Sequence, residues 1–171
     1  MTTMSEPKID IRPERPYLGI RAQTPFKGMF SVADKLHKEL TIWFKDHKLE
    51  PAGPAFLRYH IIDMQGIMHI EIGIPVATPQ PGDGRVCPDV LPAGRYASLI
   101  YVGHGLTGNK ALGHWAYHEN NNITWDCWDD ARGNVFRART ETYLTDPKVQ
   151  PLKTKWEIEV AIKIKDEGET E

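Results

Sequence analysis

Residues 69–76 and 157–164 alternate apolar and polar side chains in the same phase, position for position. Ile70, Ile72, Ile74 and Val76 in the first answer Ile158, Val160, Ile162 and Ile164 in the second. A period of two belongs to a strand with one buried face, so each segment needs paired neighbours and an apolar layer above it. The residues ahead of each segment repeat in kind as well. Residues 9–22 are extended, with Pro13 and Pro16 pushing them towards a sheet edge. Residues 30–47 place Phe30, Ala33, Leu36, Leu40, Trp43 and Phe44 at helical spacing, with Ser31 and Asp34 as a capping start. Residues 55–63 form a strand that turns through Met64-Gln65-Gly66 into 67–76. In the second half, 94–103 reads as a strand and 107–120 as a helix stopped by Asn120-Asn121-Asn122. Residues 135–144 and 154–164 read as the closing strands.

The expected fold is therefore α+β, a duplicated strand–helix–strand–strand (βαββ) unit over residues 8–77 and 94–166. Its antiparallel sheet and two main helices are expected to surround a central ligand groove where the halves meet. Residues 78–93, rich in proline and glycine, join the halves. Residues 1–7 are expected to be a disordered lead-in and 167–171 a tail. At 171 residues the chain suits one core.

Chemistry concentrates in Arg139-Thr140-Glu141-Thr142-Tyr143-Leu144-Thr145-Asp146-Pro147. In a strand, Arg137, Arg139, Glu141 and Tyr143 share one face. If that face is buried, the Glu141 carboxylate needs a partner, because an unpaired buried charge is costly. Arg139 or Arg137 would make an ordinary ion pair; without them the site suits a cation. Composition sets limits on the partner. A formal charge of −2 gives no basic footprint for nucleic acid. Two cysteines make no disulfide framework and fit a reducing cytoplasm. No apolar run is long enough to span a membrane and no signal sequence opens the chain, so a cytoplasmic location is expected.

Three motifs in order resemble the GyrI-like effector-binding family. They are Gly53-Pro54-Ala55-Phe56-Leu57-Arg58-Tyr59, Leu91-Pro92-Ala93-Gly94-Arg95-Tyr96-Ala97 and Glu141-Thr142-Tyr143-Leu144-Thr145-Asp146-Pro147, spread over nearly the whole chain. That family includes the ligand-sensing domains of AraC-type and MerR-type multidrug regulators. The resemblance implies an interior pocket for lipophilic, aromatic cations with an acidic residue at its base, which matches Glu141. It also implies a stand-alone member without its own DNA-binding domain, of the integron-cassette kind, that senses or sequesters drugs. Aromatic faces attract a delocalised cation by roughly 0.5–2 kcal/mol each. Tyr59, Trp115, Tyr117 and Tyr143 are the first candidate walls, with Trp43 behind them; Trp43 and Trp115 also suit a plain core. No cofactor and no direct nucleic-acid contact is expected, and a homodimer or a separate regulatory protein stays open as partner.

Other chemistries are weaker. Relatives that hydrolyse cyclopropane-bearing alkylators imply a second reading, with Glu141 as general base and Tyr59 or Tyr143 orienting substrate. Others act on DNA gyrase, which implies a partner-binding role that no feature here tests. His114 and His118 stand at i, i+4, but no H-E-x-x-H arrangement surrounds them, so no metal is expected. The glycines of Val102-Gly103-His104-Gly105-Leu106-Thr107-Gly108 lack the phosphate-loop ending and read as a turn.

Overall fold

The computed structural model describes residues 2–118 and 122–166. It is an α+β domain whose described strands form one 11-stranded antiparallel sheet. The strands of the first half are β1 (Thr3–Met4), β2 (Lys8–Arg12), β3 (Arg15–Pro25), β4 (Phe56–Ile62) and β5 (Ile67–Pro75), with helix α1 (Met29–Asp46) between β3 and β4. Then follow β6 (Cys87–Leu91), β7 (Gly94–Val102), α2 (Gly105–His118), β8 (Cys127–Asp130), β9 (Gly133–Phe136), β10 (Arg139–Tyr143) and β11 (Ile158–Lys163). The main path across the sheet runs β1-β7-β11-β10-β4-β5-β3-β6.

The alternation read from the sequence decides which face is buried. Glu141 stands opposite Leu57 and Val160, and Val160 stands opposite Leu99. Leu57 in turn faces Ile72, which faces Ile20. Apart from Glu141, these residues form one continuous apolar face, and both helices lie over it. Helix α1 buries Met29, Ala33, Leu36, Leu40 and Phe44, one stripe at spacings of three and four. It begins at Met29 after Gly28, whose φ of 86° is left-handed, so the expected Ser31–Asp34 start sits inside the first turns.

Helix α2 packs through glycine. A Cβ at Gly108 would lie 2.6 Å from Tyr101 Cδ1, and one at Gly105 would lie 2.8 Å from the Tyr101 hydroxyl. The glycine-rich stretch read as a turn thus runs into the helix at Gly105, and its glycines let α2 lie flat on the Tyr101 ring. Gly108→Ala is expected to lift the helix from that ring and destabilise the fold by about 1–3 kcal/mol, read by denaturant unfolding.

Several expectations change. Within the segment expected as a lead-in, Thr3–Met4 pairs with Val102 and Tyr101 on β7. The linker 78–93 contains β6, which pairs with β3 through Arg15–Leu91 to Gly19–Cys87. The strand expected over 135–144 is interrupted at Arg137–Ala138: β9 and β10 both pair with β4, but the other neighbour changes from β8 on β9 to β11 on β10. The halves join within one sheet, as Thr140 pairs with Arg58 and Glu141 with Leu57. The expected helix stop at 120–122 falls largely, and the tail 167–171 wholly, outside the described residues. No described helix is long and apolar enough to cross a membrane.

Candidate ligand-binding site

Glu141 sits mid-sheet on the helix-covered face and is 5% exposed. Neutral groups hold its carboxylate. The Tyr59 hydroxyl donates to Oε1 at 2.9 Å and the Tyr101 hydroxyl to Oε2 at 3.2 Å. The Asn109 amide donates to Oε1 at 3.3 Å from the first turns of α2. Hydrogen bonds to a charged group stabilise by about 1.5–3 kcal/mol each, which offsets much of the cost of burying a carboxylate. Burial, with Glu141 nearby, raises the pKa of Tyr59 and Tyr101 well above the usual phenol value, so both remain donors.

The two arginines expected as rivals do not claim this carboxylate directly. Arg139 Nη2 donates to Asn109 Oδ1 at 2.7 Å, and its guanidinium lies 4.8 Å above the Phe136 ring. Asn109 therefore stands between the guanidinium and the carboxylate, holding one with each end of its amide. Burial lowers the Arg139 pKa, against the opposing pull of Tyr59 and Glu141. Arg137, released by the break before β10, points instead at Asp126, 3.6 Å away, and lies over Trp128.

Tyr143 leads from this interior to the surface. Its hydroxyl is buried and makes no hydrogen bond among the described residues. Its ring lies 5.6 Å from both the His37 and Trp156 rings. Outside them, a groove of about 610 Å³ runs between α1 and the β10–β11 connection, lined by His37, Ile42, Pro147, Pro151, Lys153 and Trp156. A neighbouring hollow of about 350 Å³ shares His37 and Pro147 and includes Tyr143. Burial lowers the His37 pKa, so the side chain on this wall favours its neutral form.

The remaining sequence candidates stand on the two helices. Trp43 stacks on His47 at 3.8 Å near the end of α1 and packs against the core. Trp115 is half-buried against the core, whereas Tyr117 is 79% exposed. The side chain of His118, half of the weighed metal pair, lies outside the described residues. Sequence reasoning missed Tyr101, Asn109, His37, Trp156 and Lys153. The pair of glycines one turn apart after Tyr101 was the available signal for a ring under α2.

A family model described as a GyrI-like small molecule binding domain matches residues 5–165. This chain belongs to the GyrI-like family. Solved structures agree on the fold at low identity. EcmrR in a DNA complex is 18% identical with a TM-score of 0.70; the alignment covers 94% of this chain and 57% of EcmrR. The EcmrR C-terminal domain alone is 17% identical with a TM-score of 0.65, covering 94% of this chain and 98% of that domain. SAV2435, solved bound to tetraphenylphosphonium, is 14% identical with a TM-score of 0.61, covering 94% of both chains. No curated protein matches the chain in sequence.

Proposed function

We propose that this GyrI-like domain binds lipophilic, aromatic cations, for sensing or sequestration, with Glu141 as the charge complement. The ligand enters from the groove beside α1 and stacks against Tyr143, with Tyr59 behind it at the carboxylate. The observation that carries this reading is the Glu141 carboxylate, buried yet held only by neutral donors among the described residues. A charge so placed attracts a delocalised cation that is itself cheap to desolvate, while rings supply contact area for varied shapes. The tetraphenylphosphonium bound to SAV2435 is a cation of this class. Trp43 and Tyr117 are left out of the proposed site, and Trp115 would act only through packing of α2. The two halves are read as a duplicated unit, and a separate regulatory protein as the reader of the signal.

The test is a titration with rhodamine 6G, followed by mass spectrometry of the recovered dye and of cyclopropane-bearing electrophiles. Saturable binding that leaves every compound unchanged supports a binding module. A gain of water in an electrophile would replace it with a hydrolase in which Glu141 acts as base.

A further inference from the structure

The entrance to the site already holds a cation. Lys153 Nζ lies 5.1 Å from the Tyr143 ring centroid, 5.3 Å from Phe30 and 6.0 Å from Trp156. Asp34 Oδ1 accepts from the same ammonium at 3.0 Å. Three rings and one carboxylate, drawn from α1, β10 and the connection after it, thus converge on one charge. We propose that Lys153 is a tethered occupant of a cation cage formed by Phe30, Tyr143, Trp156 and Asp34, which an incoming organic cation takes over by displacing it. The proposal rests on the binding reading above and gives that site a gate and a selectivity rule.

The energetics suit a gate better than a permanent brace. The lysine side chain is 29% exposed and that of Asp34 53%, and ion pairs this open contribute about 0–1 kcal/mol. Each ring adds about 0.5–1 kcal/mol at an exposed site. The connection that carries Lys153 is held by other bonds. Leu144 N donates to Glu157 O, Glu157 N to Thr145 Oγ1, and Trp156 Nε1 to Gln150 O at 2.6 Å. The lysine can therefore swing out while its backbone stays closed.

Displacement also sorts ligands. A compact ammonium is strongly hydrated, so a free primary amine gains little by replacing Lys153. A bulky cation with spread charge gives up less hydration and covers all three rings. The gate thus favours phosphonium, quaternary ammonium and dye cations over simple amines.

The experiment compares the full chain with Lys153→Met, which keeps an unbranched apolar stem over the rings and removes only the charge. Tetraphenylphosphonium is expected to bind the variant about tenfold tighter, the scale of a few ring contacts no longer contested. In the natural chain, saturation with tetraphenylphosphonium is expected to increase acetylation of Lys153 by acetic anhydride, read by peptide mass spectrometry. If tetraphenylphosphonium binds but affinity and labelling stay the same in these comparisons, the gate is wrong and the binding reading survives. If it binds neither protein, both are wrong.

Discussion

Glu141→Gln is expected to weaken rhodamine 6G binding by about thirty- to hundredfold while leaving the fold intact. The affinity loss follows from removing one charge next to a bound cation, an interaction of about 2–3 kcal/mol at the effective dielectric of a protein site. The fold tolerates the change because glutamine keeps the shape and one acceptor oxygen. The Tyr59 and Tyr101 hydroxyls, which donate to the carboxylate at 2.9 and 3.2 Å, can each rotate to accept from the new amide. Paired dye titrations and urea unfolding curves check both halves of the expectation. Equal dye affinity in the two proteins would remove Glu141 from the site, since no other change in the variant could restore a negative charge there.

Arg58→Ala is expected to produce the largest loss of stability, about 3–5 kcal/mol, seen as a lower denaturant midpoint. Arg58 lies on the sheet face opposite Glu141, where its Nη1 donates to the Tyr17 hydroxyl at 2.7 Å and to Val90 O at 3.1 Å. Its Nη2 donates to Arg137 O at 2.8 Å. Tyr17 passes the connection on, donating to Glu71 Oε1 at 2.6 Å, and the His60 Nε2 lies 2.7 Å from the same oxygen. Glu71 is fully buried. Truncating Arg58 leaves two carbonyls without this donor and removes the nearby positive charge from a buried carboxylate network. Because this cluster is on the other face, cation binding by the folded fraction is expected to persist.

The two carboxylates show how far local pattern reaches. Both Glu71 and Glu141 lie on strands whose alternation is plain in the sequence, and in each case alternation correctly groups near neighbours. Tyr143 and Glu141 share a face because they are two residues apart, and Tyr59 joins them because β4 pairs with β10. Arg137 belongs to the same arithmetic but escapes it, since the regular strand pairing is interrupted at Arg137–Ala138. The groups that complete the carboxylate come from further away. Tyr101 lies on β7, separated from β10 by β11, and Asn109 reaches in from α2. Lys153 meets Phe30 and Asp34 only because the β10–β11 connection crosses α1.

Alternation, helical spacing and three ordered motifs determined the α+β class, the family resemblance and Glu141 as the residue to watch. These are properties of residues near one another in the chain, where the geometry of a strand or a helix turn sets who faces whom. The order of strands, the neutral donors around Glu141, the bridging amide of Asn109 and the lysine in its ring of aromatics were decided by tertiary structure. They depend on which strand lies beside which and how closely a helix can approach. Here Gly105 and Gly108 let α2 come down onto Tyr101, and that contact brings Asn109 within reach of the buried charge.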